Sequence, residues 1–133
     1  MKRILVIDDE EQIRNVLKKI LERSGYKVST ANNGADGLHK FKRNPSELVI
    51  TDLTMPEMDG MEAITRITKL APGTKIIAIS GGGERFPDYF LPMAGESGAH
   101  MTFKKPVSAK EIVRAVEEMI GEGNQLAKSV GNV

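Results

Sequence analysis

A doubly wound α/β domain, with one five-stranded parallel sheet covered by helices on both faces, is the fold this sequence predicts. Continuous apolar runs such as Ile4-Leu5-Val6-Ile7 and Ile76-Ile77-Ala78-Ile79 mark strands buried on both faces. Between the runs, apolar residues recur every three or four positions, the period of a helix packed on one side. Strand and helix alternate five times, which favours a parallel sheet over a split α+β arrangement.

The elements follow in order. Ile4–Ile7 forms the first strand, and Ile13, Val16, Leu17, Ile20 and Leu21 give the stripe of the first helix. Ser24-Gly25 ends that helix, with Gly25 in the left-handed conformation. Tyr26–Ala31 is a second, less apolar strand suited to a sheet edge. Asn32-Asn33-Gly34 turns or caps into a short helix with a stripe of Ala35, Leu38 and Phe41, closed by Asn44-Pro45. Leu48–Thr51 is the third strand, followed by a helix whose stripe is Met61, Ile64, Ile67 and Leu70. Pro72-Gly73 breaks it before the strand Lys75–Ser80. The stretch from Gly81 carries Pro87 and Pro92, which exclude a long uninterrupted helix. A weak fifth strand covers His100–Lys104. Ser108, with Glu111 three residues on, opens a last helix along Ile112, Val113, Val116, Met119 and Ile120. Residues 1–120 thus read as one domain, and 121–133 as a polar tail expected to be flexible.

Composition narrows the function. At 133 residues the chain supports one domain with a sizeable core. A net charge of +1 offers no electrostatic case for direct nucleic acid binding or for a membrane surface. The absence of cysteine excludes disulfides and thiolate chemistry. The apolar start meets Asp8-Asp9-Glu10-Glu11 too soon for a signal peptide, so a cytoplasmic location is expected.

In a parallel sheet all strands end at one edge, and there the polar residues gather: Asp8 and Asp9 after strand one, Asp52 after strand three, Ser80 after strand four and Lys105 after strand five. If the strand order is 2-1-3-4-5, strands one and three flank the switch point where ligands bind in such folds. Three adjacent carboxylates repel one another unless a cation joins them. A hard divalent ion such as Mg²⁺ fits oxygen donors and phosphate oxygens. Neither His39, in a helix, nor His100, opening strand five, is placed as a nucleophile, which leaves a carboxylate acting through an acyl phosphate. Each residue also has a plainer use. Asp8-Asp9 is a good capping pair, Ser80 a loop residue and Lys105-Pro106 a strand exit. Their coincidence at successive strand ends favours the joint reading.

On these residues the chain resembles a response regulator receiver domain of two-component signalling, a flavodoxin-like fold. The resemblance runs to about Ile120 through Asp8-Asp9, the block Asp52-Leu53-Thr54-Met55-Pro56-Glu57-Met58-Asp59-Gly60, the pair Ser80-Gly81, and Lys105-Pro106. It implies that Asp52 accepts a phosphoryl group from a phosphohistidine of a sensor histidine kinase or a histidine phosphotransfer protein. It implies that Asp8, Asp9, Asp52 and the Thr54 backbone carbonyl hold Mg²⁺ or Mn²⁺, with Asp9 the more direct ligand and Asp8 acting through water. Lys105 would pair with the phosphoryl oxygens, and its bond to Pro106 is usually cis. Ser80, with Gly81, would sense the phosphoryl group and shift the surface of the 81–105 segment. The Thr54 side chain would help set the phosphate lifetime. Such a domain is a phosphoacceptor that assists its own phosphorylation and dephosphorylation, rather than an enzyme, and it acts on a downstream target.

Two departures from the family pattern bear on signal output. Three residues before the lysine the family usually carries an aromatic or histidine, and here stands Thr102. The interval from Ser80 to Gly98 is longer than usual. Its Phe86, Tyr89, Phe90 and Met93 read either as packing or as an exposed partner surface. A stand-alone receiver is the expected form, with a phosphate sink, a relay intermediate or a fragment of a longer regulator as the alternatives. A haloacid-dehalogenase phosphatase would need a second Asp where Thr54 stands. An electron carrier of this fold would need a hydroxyl-rich loop after strand one. A phospho-independent scaffold is the strongest rival.

Overall fold

The computed structural model describes residues 2–53, 60–80 and 98–123. Expectations that fall on the 54–59 turn, on Gly81 and the segment to residue 97, and on the tail from 124 lie outside the described residues. Within them the chain runs β1 (Arg3–Ile7), α1 (Glu11–Arg23), β2 (Lys27–Ala31), α2 (Gly34–Arg43), β3 (Leu48–Asp52), α3 (Gly60–Leu70), β4 (Lys75–Ser80), β5 (Met101–Lys104) and α4 (Ala109–Ile120). The sheet order is β2-β1-β3-β4-β5 and every pair is parallel. The predicted fold class and strand order are those observed.

Strand alternation divides the core into two layers. Ile4, Val6, Leu48, Ile50, Ile77 and Ile79 face one way, onto Leu17 and Leu21 of α1 and Ile112, Ala115 and Val116 of α4. Leu5, Ile7, Val49, Ile76 and Ala78 face the other, onto Leu38 and Phe41 of α2 and Ile64 and Ile67 of α3. Burial of each such side chain contributes about 1.5–3 kcal/mol, so the strands are fixed mainly by these two layers.

The helix stripes differ from the sequence pattern at their margins. Val16 is 55% exposed and Leu70 53%. Val16 lies in a groove of about 510 Å³ between α1 and the start of α4, beside Ile13, Pro106 and Val107, rather than under the helix. Ala35 is exposed, and Gly37 takes its place against the sheet, where any Cβ would run into the Ile7 side chain. The terminal signals hold: Asn33 accepts from the Asp36 N–H at 2.7 Å, Ser108 accepts from the Glu111 N–H at 3.1 Å, and Gly25 has φ 95°.

The amino-terminal edge of the sheet is closed by paired groups. The Lys2 ammonium and the Tyr26 hydroxyl donate to the last carbonyls of α4 and its cap, Ile120 and Gly121, the latter at 2.6 Å. These are carbonyls that the helix itself leaves without donors, at its negative end. Thr74 donates to the Ser46 carbonyl at 3.3 Å, and Glu47 accepts from the Arg3 N–H at 2.5 Å. Burial first, then the charges of Glu117 and Glu122, push the Tyr26 hydroxyl up to about 12, so it stays a donor.

Candidate functional site

The opposite edge gathers charge. β1 and β3 are neighbours with Ile7 beside Thr51, so Asp8 and Asp52 leave the sheet at the same level. On the other flank Asp52 pairs in register with Ile79, and Ser80 with Lys104, which sets Lys105 one residue beyond the sheet. The Lys105 N–H donates to the Ser80 carbonyl at 2.8 Å and the Lys105–Pro106 peptide is cis. Gly60, at the start of α3, makes room for this corner, since a Cβ there would overlap the Asp52 carbonyl.

The Lys105 ammonium stands at the centre. Its Nζ lies 3.0 Å from Asp8 Oδ2, 3.3 Å from Glu10 Oε1 and 3.4 Å from Asp52 Oδ2. Asp8 and Asp52 are buried, and the Lys105 side chain is only 15% exposed. Burial alone would lower the lysine value, but the charges of Asp52 and Asp8, with hydrogen bonds to Asp8 and Glu10, outweigh it and hold the ammonium above its ordinary value. Asp8 Oδ1 also accepts the Glu10 N–H at 2.8 Å. Even so, burial leaves the Asp8 carboxyl above the ordinary aspartate value. The Glu10 bond and Lys105 pull it down, and the Asp9 charge pushes it further up.

The chemistry of the donors meets the requirement for a hard divalent cation. Carboxylate oxygens of Asp8, Asp9 and Glu10 lie within 4.8 Å of one another, all are hard ligands, and Asp8 is buried. Glu10 stands with Asp8 and Asp9, while Asp52 is joined to Asp8 through Lys105. Asp9 is exposed and Asp8 is the inward carboxylate. Glu10, which carries no site role in the sequence pattern, was legible only as the third acid of a run following a strand. The backbone carbonyl of Thr54 and residue Gly81 lie outside the described residues.

Ser80 is buried at the end of β4. Thr102 pairs with Ala78 on the face toward α2 and α3, whereas Phe103 packs with the core under α1 and α4. His39 is exposed on α2. His100 accepts the Ile76 N–H on Nδ1 at 3.1 Å, at the amino-terminal end of β5 and away from the carboxylates. No helix among the described residues is long and apolar enough to cross a membrane.

The chain and its fold resemble known proteins. The family profile described as the response regulator receiver domain matches residues 4–117. The response regulator receiver protein CpdR of Brucella abortus is 35% identical over 122 residues, covering 90% of this chain and 98% of that protein. The chemotaxis protein CheY of Thermotoga maritima is 35% identical over 119 residues, covering 89% and 97%. A crystal structure of a response regulator receiver domain protein from Clostridium thermocellum superposes with a TM-score of 0.81 at 34% identity, over 90% of this chain and 94% of that one.

Proposed function

The chain belongs to the response regulator receiver domain family of two-component signalling, and from that premise we propose that Asp52 is its phosphoacceptor. The observation that carries this reading is the ammonium of Lys105 set between the buried carboxylates of Asp8 and Asp52. Receiver domains interact with histidine kinases or phosphotransfer proteins, and a phosphohistidine of such a partner is the donor. An Asp52 carboxylate oxygen forms the new P–O bond as the P–N bond breaks, and the imidazole nitrogen leaves with the electron pair. Receiver domains are phosphoacceptors rather than enzymes, and here the assistance given to the transfer is positional and electrostatic.

The roles follow from position. Asp8 and Asp9, with Asp52 and the Thr54 carbonyl, would hold Mg²⁺ or Mn²⁺, and the Glu10 carboxylate stands within 4.8 Å of those of Asp8 and Asp9. Held there, the ion would supply positive charge against the phosphoryl oxygens. Lys105 exchanges its contact with Asp52 for the phosphoryl oxygens, carrying its charge to the group that develops it. Ser80 hydrogen-bonds the same group from β4, and its movement, with Gly81, shifts the surface that runs on to residue 105 toward a downstream target. With Thr102 at the usual aromatic position, a small side chain accompanies that shift. Thr54 bears on the lifetime of the acyl phosphate, and Pro106 orients Lys105.

Incubation with acetyl phosphate and Mg²⁺, followed by intact-protein mass measurement, tests the reading. One phosphoryl adduct is expected on the parent protein, with none in EDTA and none on Asp52→Asn. An equal adduct on the variant would refute it.

A further inference from the structure

Lys105 has one ammonium and three carboxylates around it, and the three are not equivalent. Asp8 and Asp52 are buried at strand ends. The Glu10 side chain is 60% exposed and approaches from the N-cap position of α1, with its own N–H anchored on Asp8 Oδ1 at 2.8 Å. Its backbone is therefore fixed by the site while its carboxylate stands at the mouth. On stability such an exposed charge counts for little. On the chemistry it counts more, because it shares the lysine that a phosphoryl group needs. It also adds negative charge where a cation must enter and an anionic donor must approach.

Resting on Asp52 as phosphoacceptor, we propose that Glu10 is a positioning residue that holds Lys105 back from the acceptor, strengthening Mg²⁺ binding while slowing phosphorylation by anionic donors. With acetyl phosphate the step is attack of an Asp52 oxygen on phosphorus. The P–O bond to the acetyl group breaks and acetate leaves with the electron pair. The donor is an anion, and the lysine that meets it must first part from Glu10. Removing the Glu10 charge has two consequences of opposite sign. The cation is held less tightly, and the anionic donor reacts faster once the cation is saturating. A general loss of structure would depress both.

The full chain carrying Glu10→Gln or Glu10→Asp provides the test. Mg²⁺ binding is measured by calorimetry, and the acetyl phosphate rate constant by intact mass at saturating Mg²⁺. Glu10→Gln is expected to bind Mg²⁺ roughly two- to fivefold more weakly and to react roughly two- to fivefold faster, the scale of one solvent-screened charge. Both differences shrink at about 1 M monovalent salt, where screening acts within about 3 Å. Glu10→Asp keeps the charge at a shorter reach and falls between the parent protein and Glu10→Gln in both readouts. Parallel loss of both properties in Glu10→Gln, no change in either, or differences indifferent to salt would overturn the proposal. If the parent protein itself takes up no phosphoryl group, the phosphoacceptor reading fails and this inference with it. A phosphorylated parent with an unchanged Glu10→Gln removes the Glu10 role alone.

Discussion

The two edges of the sheet carry polar groups of opposite character. At the amino-terminal edge each donor named above meets an acceptor: Lys2 on Ile120, Tyr26 on Gly121, Thr74 on Ser46 and the Arg3 N–H on Glu47. At the carboxyl-terminal edge one lysine serves three carboxylates, and Asp8 stays raised despite it. Those groups at the first edge are paired from within the chain. At the second, among the described residues, three carboxylates share the Lys105 ammonium. Internally paired groups and the candidate site thus lie at opposite ends of the same strands, which agrees with ligand binding at the carboxyl ends of strands in open α/β sheets.

Substitutions at the two edges separate these assignments. The largest effect is expected for Lys105→Met, which leaves buried Asp8 and Asp52 without their cation. In EDTA it should lower the unfolding free energy by about 3 kcal/mol, the scale of a broken buried ion pair. Millimolar Mg²⁺ should restore much of that loss. A loss that Mg²⁺ does not change would show the carboxylates to be indifferent to positive charge.

Tyr26→Phe is next. Its expected loss in urea unfolding is about 1–2 kcal/mol, from a Gly121 carbonyl left without its donor. The loss should be equal with and without Mg²⁺, and phosphorylation should be unaffected. The hydroxyl is raised from 10 to about 12, so the unfolded chain loses this proton first as pH rises. The Tyr26 contribution is complete below pH 10 and disappears on approach to about 12, and Tyr26→Phe should lack that decrement. A Mg²⁺-dependent effect at Tyr26 would instead couple the two edges.

The fold was legible because two periods, continuous runs and three- or four-residue stripes, are written locally along the chain. Asn33, Gly25 and Ser108 announced their element ends for the same reason. What escaped were features set by packing between distant segments. Val16 fits the α1 stripe but lies to its side, in the groove next to α4. Gly37 has no hydrophobicity to signal it, yet contact with Ile7 requires it. The pairing of Tyr26 with Gly121 spans 95 residues and leaves no periodic trace. At the site, Asp8, Asp52 and Lys105 could be placed from strand ends alone. Glu10 could not, because its role depends on where the Lys105 ammonium comes to rest.

The smallest expected effect is at His100, on the amino-terminal edge. Partial burial, then the charge of Lys75, holds its imidazole below 6.5, and Nδ1 accepts the Ile76 N–H, which only the unprotonated nitrogen can do. The unfolded chain therefore takes up the proton first as pH falls. Stability from His100 is present above about 6.5 and declines below it, measured as a shallow slope in urea midpoint that His100→Gln removes. A slope unchanged by the substitution would place the titration elsewhere.

The most direct test of the divided sheet is to locate the phosphoryl group itself. After reaction with acetyl phosphate and Mg²⁺, borohydride reduction converts an aspartyl phosphate to homoserine, and peptide mass mapping finds the residue. The account predicts homoserine at position 52 alone. Reduction at Asp8 or Asp9, or a phosphoryl group that resists borohydride and maps to Ser80, would contradict it.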